Sequence, residues 1–266
     1  MKKPLIRYLP ERFQEILLYR WYYPVHERWQ GLFDSAELKF APGVKMKNLL
    51  STDSMQARIA FTGAYETSLS RHVCKLSRSG AGVMVDVGAN AGYFSLLWTS
   101  ANPKSTCIAF EPSARNVVLI KENIRENGLT RRIELREIAL GREVGEFEFD
   151  LGPDEQTGWG GLVLEKSNRS IRVKVERLDD VIPPDMTINL LKIDTEGADT
   201  WVLQGSEKLL REKRIREIRY EQNKLRLHQL GIAENEAADF LRALGYAATP
   251  TSTSIKGVSA WTAVPC

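Results

Sequence analysis

The sequence predicts an α/β fold with a doubly wound, mostly parallel sheet, preceded by a helical extension and closed by an antiparallel hairpin. From residue 80 onward, strand-like and helix-like segments alternate along the chain. The strand-like segments are short apolar runs such as "VMVDV" at 83–87, which is typical of parallel strands covered on both faces. A glycine-rich turn, "GANAG" at 88–92, follows that first strand and leads into a helix.

The chain of 266 residues is 43% hydrophobic and 27% charged, a composition that supports one large core. We predict two regions, an aromatic and basic N-terminal extension at residues 1–55 and an α/β domain at 56–266. Within the extension, residues 10–24 predict an amphipathic helix, because Phe13, Ile16 and Trp21 recur near helical spacing between two prolines. The extension is expected to pack on the domain, to cover the substrate, or to contact a membrane or a partner.

The alternation within the α/β domain places each element. Strands are predicted at 83–87, 105–110, 132–138, 188–193 and 215–220. Helices are predicted at 93–100, 113–127, 199–211 and 235–244. Between 141 and 176, two strands of alternating polarity enclose a glycine-rich loop at 152–161 that we call the flap. The segment after residue 245 predicts the closing hairpin.

Cysteine usage and charge restrict the class of protein. Cys74, Cys107 and Cys266 are odd in number and lack metal-ligand spacing, so we predict no metal site. Their number suits a protein of the reducing cytoplasm and argues against a disulfide framework. No apolar run approaches the roughly 18 residues of a membrane span, and the N-terminus does not read as a signal peptide. The net charge is +3 without a run of lysine or arginine, so the sequence gives no strong nucleic-acid signal.

The glycine turn does not fit a dinucleotide or a polyphosphate. A dinucleotide fingerprint requires a middle glycine so that the backbone can approach a pyrophosphate, and Asn90 stands between Gly88 and Gly92 instead. No lysine follows Gly92, as it would in a phosphate-binding loop. A dehydrogenase that uses a nicotinamide cofactor is therefore the less favoured reading.

Two acids at neighbouring strand ends favour a different ligand. Asp86 lies two residues before Gly88, where a carboxylate would repel a pyrophosphate but suits an ammonium or hydroxyl group. Glu111 ends the second strand, at the position of a carboxylate that binds ribose hydroxyls. The pair predicts a cationic adenosine ligand without phosphate, and S-adenosyl-L-methionine has that chemistry.

The chain resembles the FkbM family of S-adenosylmethionine-dependent methyltransferases, which have a Rossmann-like class I fold. The resemblance covers about residues 60–245, with the motifs in the family's order. The matching segments are "GAYE" (63–66), "VDVGANAGYFS" (85–95), "AFEPSARN" (109–116), "ENIRENGL" (122–129), "IALG" (138–141), "VERLDDV" (175–181), "LLKIDTEGAD" (190–199), "VLQGSEKLL" (202–210) and "YEQNK" (220–224). Residues 1–55 match no motif of the family.

The resemblance implies a set of donor-binding residues. Its members are Glu66, Asp86, Gly88, Asn90, Gly92, Tyr93, Glu111, Pro112, Glu137 and Ala139. Asp86 and the turn would line the methionine end of the donor, and Glu111 would bind the ribose. Glu137, which precedes Ala139 at the end of the third strand, would lie near the adenine. The family often has asparagine at the position of Glu137.

The candidate catalytic residues are expected at the carboxyl-end rim of the sheet. They are Asp194, Glu196, Glu221 and His228. A hydroxyl acceptor needs a group that accepts its proton, and we favour Asp194 or Glu196 without deciding between them. An oxygen-ligand set for Mg²⁺ formed by the three acids is an alternative that no other sequence feature supports.

The predicted reaction is methyl transfer to a hydroxyl of a sugar, a glycan or a secondary metabolite. Enzymes that methylate the amines of bases carry an Asp/Asn-Pro-Pro-aromatic run after the fourth strand, and this chain has "DTEG" at 194–197. Two alternatives remain: a nucleic-acid methyltransferase recruited by the basic extension, and a non-catalytic donor-binding protein that docks through it. Peripheral membrane contact through residues 1–40 is a further possibility.

Overall fold

The computed structural model describes residues 4–251 and 257–266, except for the side chains of Glu11 and Arg12. The helices are α1 (Glu11–Leu17), α2 (Gln30–Asp34), α3 (Ser54–Thr62), α4 (Thr67–Ser79), α5 (Tyr93–Ala101), α6 (Ala114–Glu126), α7 (Leu178–Val181), α8 (Asp199–Gln204), α9 (Glu207–Arg211), α10 (Lys224–Gln229) and α11 (Glu236–Ala243). The strands are β1 (Ser35–Glu37), β2 (Lys45–Lys47), β3 (Val83–Val87), β4 (Thr106–Phe110), β5 (Ile133–Arg136), β6 (Ala139–Leu140), β7 (Gly145–Asp150), β8 (Gly161–Val163), β9 (Ser170–Glu176), β10 (Ile188–Ile193), β11 (Ile218–Asn223), β12 (Tyr246–Thr251) and β13 (Val258–Pro265).

The central sheet has seven strands in the order β12-β13-β11-β10-β3-β4-β5. Five neighbouring strands of this sheet, β11, β10, β3, β4 and β5, run parallel to one another. β13 pairs antiparallel with both β11 and β12. The predicted α/β class, the doubly wound sheet and the closing hairpin are therefore confirmed. The chain reverses its direction of winding at β3, so a crevice opens between the carboxyl ends of β3 and β10, where such sheets bind ligands.

The region between 141 and 176 forms a second sheet of four strands, in the order β6-β9-β7-β8. The predicted strands correspond to β7 and β9, which pair antiparallel from Gly145 opposite Val175 to Asp150 opposite Ser170. No pattern predicted β8, because it is only three residues long and begins at Gly161, the last residue of the glycine-rich flap. This small sheet carries the flap over the crevice of the central sheet.

The predicted helix at 199–211 is two short helices, α8 and α9. A Cβ atom at Gly205, between them, would lie 2.0 Å from the carbonyl oxygen of Gly141. The helix therefore breaks where the chain must pass close to the backbone of another loop. Periodicity alone gave no sign of this contact, because Gly141 is distant in sequence.

The predicted helix at 10–24 is wrong in extent and in its buried face. Helix α1 ends at Leu17 and continues through a π-helical segment, Leu18–Tyr22, into a 3₁₀ segment, Tyr23–Trp29. Leu18 is fully buried, whereas Ile16 and Trp21 are each 67% exposed. The π-helical turn shifts the spacing of side chains around the axis, so the apolar stripe in the sequence does not coincide with the buried one.

The extension shares its core with the sheet. Leu18 and Phe33 belong to the same buried cluster as Phe61, Leu97 and Trp98. The boundary at residue 55 stays a prediction, and α3 crosses it from Ser54. None of the described helices is long and apolar enough to span a membrane.

Candidate active site

The carboxyl ends of β3, β4, β10 and β11 surround a cavity of about 520 Å³. Most of the sequence-predicted site residues line it. They are Glu66, Gly88, Asn90, Tyr93, Glu111, Pro112, Ala139, Asp194, Glu196 and Glu221. The fold thus gathers residues that are separated by up to about 155 positions into one space, and this gathering is what a common ligand requires.

The glycine turn brings β3 and β10 close together. Gly88 has a φ of 75°, and a Cβ atom there would lie 2.0 Å from the carbonyl oxygen of Asp194. Asn90 also has a positive φ of 50°, which asparagine tolerates better than most residues. Gly92 has a φ of 84° and faces away from the cavity, because a Cβ atom there would meet Ile120 at 2.6 Å. Gly92 therefore permits packing between the turn and α6.

Glu111 is held in a fixed orientation by its own chain. It is 4% exposed, and its carboxylate accepts hydrogen bonds from the backbone N–H groups of Asn90 (2.8 Å) and Ser113 (2.9 Å). Asn116 Nδ2 donates a third bond at 3.3 Å. Burial raises the pKa of Glu111, while these bonds oppose the effect. The carboxylate is preorganised at the cavity wall and keeps acceptor capacity toward a ligand.

A cluster of acids lines the other side of the cavity. Glu66, Asp194, Glu196 and Glu221 all face it, from the start of α4 and the ends of β10 and β11. Burial, together with repulsion from Asp194, raises the pKa of Glu66 and of Glu196 to about 7. The same causes raise the pKa of Glu221 to about 9. Like charges in a poorly solvated space favour protonated carboxyls, and a cationic ligand would relieve the repulsion.

The acid cluster rests on a buried support. Asp199, which is 1% exposed, accepts hydrogen bonds from Thr195 Oγ1 (2.9 Å) and from the backbone N–H of Glu221 (3.3 Å). Burial, with repulsion from Asp194, raises its pKa to about 6. Glu196 has a φ of 52° and accepts a bond from Asn223 Nδ2 at 3.1 Å. The residue with the strained backbone, Glu196, is thus tied through its side chain to β11.

Asp86 lies beneath the cavity wall and not on it. It is 1% exposed, and its Oδ2 accepts a bond from Ser95 Oγ at 2.7 Å. Its Oδ1 lies 3.5 Å from Lys192 Nζ, a residue that lines the cavity. The amino group of Lys192 therefore lies between Asp86 and the cavity.

Two further candidates lie outside the cavity. Glu137 is exposed and forms an ion pair with Lys121 on α6. His228 lies on the exposed side of α10. Neither side chain lines the space that the other candidates share.

The extension and the flap close the cavity from above. Glu15, Tyr19 and Arg58 line it from the N-terminal side. Asp53, which is fully buried, accepts hydrogen bonds from the backbone N–H (2.7 Å) and Oγ1 (2.8 Å) of Thr157 in the flap. Arg226 Nη2 donates to the backbone carbonyl of Trp159 at 2.8 Å, which holds the opposite side of the flap.

Among residues 4–251 and 257–266, no group of three or more histidine, cysteine, aspartate or glutamate side chains is arranged to hold a metal ion.

The profile of the methyltransferase FkbM domain matches residues 86–247. The match covers more than half of the chain and includes most of the cavity-lining residues. The chain belongs to the FkbM methyltransferase family. The family resemblance that the motifs predicted is confirmed.

This FkbM-family chain has two informative relatives. It is 29% identical over 144 residues to Methyltransferase 1 of Beauveria bassiana (strain ARSEF 2860), covering 46% of this chain and 57% of that protein. It is 26% identical over 177 residues to the 2-O-methyltransferase NoeI of Sinorhizobium fredii (strain NBRC 101917 / NGR234), covering 60% and 72%. The chain thus spans little more than half the length of the first relative.

Among solved structures, the chain is similar to precorrin-6y C5,15-methyltransferase from Geobacter metallireducens GS-15. The TM-score is 0.47 at 14% sequence identity, and the match covers 76% of this chain and 90% of that one.

Sequence reasoning missed three buried polar residues of the FkbM-family site: Lys192, Asp199 as a support, and Asp53. Lys192 carried a signal, since it is the only charged residue of the apolar strand "INLLKI". Asp53 carried a weaker one as the N-cap of α3, where it accepts a bond from the backbone N–H of Gln56. Its second role, on the flap, depends on a contact across 104 residues.

Proposed function

We propose that this FkbM-family protein is an S-adenosylmethionine-dependent O-methyltransferase that acts on a hydroxyl group of a sugar, a glycan or a secondary metabolite. The observation that best supports this proposal is the placement of acidic side chains on two sides of one cavity. Glu111 stands preorganised on one side, and Glu66, Asp194, Glu196 and Glu221 stand on the other. The named 2-O-methyltransferase NoeI among the relatives supports an oxygen acceptor.

The cavity fits the proposed donor in charge and shape. Glu111 keeps acceptor capacity for ribose hydroxyls, and apolar Ile138, Ala139 and Leu140 line the wall beyond it, where a flat base would pack. The acid cluster suits a sulfonium and an ammonium group. Asp86 would act on the donor through Lys192, because the lysine separates it from the cavity.

The donor, when bound, supplies an electrophilic methyl group on a positively charged sulfur. The chain must hold a hydroxyl oxygen about 3 Å from that carbon and in line with the departing sulfur. The new C–O bond forms as the C–S bond breaks, with its electron pair passing to sulfur. The hydroxyl proton passes to a carboxylate oxygen of Asp194 or Glu196, which lie at the rim of the sheet.

The flap and the extension would determine which acceptor enters. Trp159 is 53% exposed and lines the cavity, so its ring is available to stack on a sugar or an aromatic face. Tyr19 and Glu15 face the same space from the extension. The acceptor pocket therefore includes segments that lie outside the family match.

Two measurements test the proposal. Calorimetric titration should give saturable binding of S-adenosylhomocysteine and no binding of NAD. A mass-spectrometric screen of sugars, glycans and phenolic or aliphatic alcohols should then find an acceptor that gains one CH₂ unit in mass. Preference for NAD, or methylation of nucleic acid in the absence of any hydroxyl acceptor, would contradict the proposal.

We further propose that the extension contacts anionic membrane surfaces. Leu5 and Trp21 are 76% and 67% exposed and line an apolar groove of about 640 Å³ together with Arg28. Arg20 is exposed next to Trp21. Exposed indole and guanidinium groups beside apolar side chains suit a negatively charged lipid interface. A second copy of the same surface would bring these arginines together, which disfavours self-association through it.

Flotation with vesicles tests this contact. The protein should bind phosphatidylglycerol vesicles and not phosphatidylcholine vesicles, and Trp21→Glu should remove the binding. Val118→Glu is a matched control, because Val118 is 66% exposed on α6. Equal binding by both variants, or no binding by the parent protein, would refute a membrane contact through this surface, and dimers in sedimentation would point to a second copy instead.

We also propose a cytoplasmic location. Cys74, Cys107 and Cys266 are all free thiols, and the first two are buried. This state suits a reducing compartment. Cell fractionation of the native protein tests it.

A further inference from the structure

Lys192 is a buried cation in an apolar strand. It is 4% exposed, and its strand neighbours Leu191 and Ile193 are almost fully buried. Pairing of β10 with β3 places it directly opposite Asp86. Burial of an unpaired ammonium group costs free energy. The acids that pair with Lys192 therefore explain how a lysine is accommodated at this position.

The amino group of Lys192 bridges two carboxylates. Its Nζ lies 3.3 Å from Asp194 Oδ2 and 3.5 Å from Asp86 Oδ1. The ring of Phe94 lies below it, with the centroid 5.1 Å from Nζ. Asp86 Oδ1 has no hydrogen-bond partner in the described residues, so the lysine is its main source of neutralisation. Burial lowers the pKa of Lys192, but attraction to Asp194, Asp86 and Glu66 outweighs it, and the pKa lies well above its ordinary value.

Asp194 is the common neighbour of the other acids. The charged and titratable groups around Lys192 and Asp194 come from every adjoining element: Arg58 of α3, Tyr65 and Glu66 before α4, Asp86 of β3, Cys107 of β4, Glu196 and Asp199 after β10, and Glu221 of β11. Repulsion by Asp194 contributes to the raised pKa of Glu66, Glu196, Asp199 and Glu221. Lys192 is the cation that forms an ion pair with Asp194 itself.

We propose that Lys192 is a positioning residue that pairs with Asp194 and holds it in place as the group that accepts the hydroxyl proton. This assignment rests on the proposed O-methyl transfer and resolves the choice that the sequence left open between Asp194 and Glu196. In the transfer, the proton of the acceptor hydroxyl passes to Asp194, the oxygen takes the methyl group, and sulfur retains the electron pair of the broken C–S bond. The positive charge on Lys192 offsets the negative charges of Asp194 and Asp86, with which it pairs.

The geometry also explains why a lysine pairs with Asp86. Asp86 fixes the ammonium from the β3 side, and Ser95 Oγ fixes Asp86 in turn at 2.7 Å. The chain Ser95–Asp86–Lys192–Asp194 thus runs from the buried side of α5 to the cavity. Each member restrains the next through a hydrogen bond or an ion pair, and only the last two line the cavity.

The test compares Lys192→Met with Lys192→Arg. In Lys192→Met, kcat at pH 7 should fall about 10- to 100-fold, and the acidic limb of the kcat profile should move up by about one pH unit or more, because the opposite charge beside the base is lost. Lys192→Arg keeps the charge and should keep the limb within a few tenths of a pH unit. Lys104→Met, at an exposed lysine, is a control for loss of charge in general.

A second variant guards against misfolding. Lys192→Met leaves Asp86 buried without its cation, whereas the double variant Asp86→Asn/Lys192→Met removes both charges together. The double variant should fold and still show the shifted limb, because Asp194 lacks its partner in it as well. An unshifted limb in a folded double variant would overturn the assignment.

A readout without catalysis separates this inference from the proposed function. Carboxyl ¹³C NMR of aspartate-labelled protein, with Asp194→Asn to identify the signal, should show Asp194 titrating at higher pH in Lys192→Met than in the parent. If the parent protein transfers a methyl group to no hydroxyl, the proposed function is refuted. The NMR titration would still show whether the charge of Lys192 acts on Asp194. An unchanged Asp194 titration would refute the role of Lys192, even in an active enzyme.

Discussion

The two sides of the cavity differ in how their buried carboxylates are stabilised. Glu111 accepts three hydrogen bonds from Asn90, Ser113 and Asn116, so its charge is supported before any ligand arrives. At the other side, Asp194 is paired with Lys192, and the other three acids, Glu66, Glu196 and Glu221, have a raised pKa because of burial and repulsion from Asp194. A binding group benefits from rigid support, whereas a proton-accepting group needs an environment that leaves its protonation adjustable. The difference favours donor binding at Glu111 and proton transfer near Asp194.

The largest effect is expected at the reactive side. Asp194→Asn should lower kcat by about 10²- to 10⁴-fold, the usual contribution of a general base, while S-adenosylhomocysteine affinity stays within about threefold. Steady-state kinetics and calorimetry on the same preparation measure both quantities. Parallel loss of rate and affinity would instead make Asp194 a donor ligand and remove the distinction between the two sides.

The next largest effect is expected on stability, at Gly88, where the turn after β3 approaches the backbone of Asp194. Gly88→Ala should destabilise the protein by about 3 kcal/mol, because its Cβ atom would lie 2.0 Å from the Asp194 carbonyl in addition to the strain of a positive φ. Gly43→Ala isolates the strain, since Gly43 has a φ of 85° and no atom within 4 Å of its Cβ position. That control should cost about 1 kcal/mol. Equal losses in urea unfolding would show that the close approach is not required.

A smaller effect is expected at the binding side. Glu111→Gln should weaken S-adenosylhomocysteine binding at least about tenfold, which is about 1.4 kcal/mol, because an amide replaces the carboxylate that we propose as the ribose ligand. Glu137→Gln serves as the control, because Glu137 is exposed and paired with Lys121. Calorimetry measures both. A loss in the control that equals the loss at Glu111 would place the adenosine end outside the cavity described here.

The smallest effect is on stability as a function of pH. The pKa of Glu221 is raised from 4.5 to about 9, so the native state holds a proton that the unfolded chain releases between these values. This contribution to stability is complete below about pH 4.5 and is lost as the pH rises toward 9. Glu221→Gln keeps an uncharged side chain, so it should be more stable than the parent at pH 8 by about 2 °C in Tm or more, and nearly equal at pH 5.

Glu217 provides a control of opposite sign. Burial raises its pKa, but hydrogen bonds from His72 and Arg219 outweigh this and lower it. Its stabilising contribution is therefore present above its unfolded pKa, and Glu217→Gln should be less stable than the parent at pH 8. If both variants change Tm in the same direction at pH 8, the raised pKa of Glu221 is wrong.

Local patterns predicted the central strands nearly to the residue. β3 and β10 agree with the predicted 83–87 and 188–193, because apolar runs that end in a glycine or an acid leave little freedom in their bounds. The prediction was less accurate for β11, which lies at Ile218–Asn223 and not at 215–220, and for β5, which is shorter than the predicted 132–138. The predicted buried face of α1 was wrong. The sequence contains an apolar stripe at helical spacing, but the π-helical turn after Leu17 changes that spacing, so a different set of side chains is buried. β8 was missed because it is only three residues long, begins at the end of the glycine-rich flap, and is a strand through its pairing with β7.

The sequence by itself determined the order of strands and helices, the glycine turn and the acids that follow the strands, because each depends on residues close together along the chain. The family motifs depend on the same short spans. Only the tertiary structure decided that Lys192 stands between Asp86 and Asp194, that Asp53 holds the flap, and that Glu137 and His228 lie outside the cavity. These relations depend on strand register and on contacts between distant segments, which the packing of the whole chain fixes and no local pattern encodes.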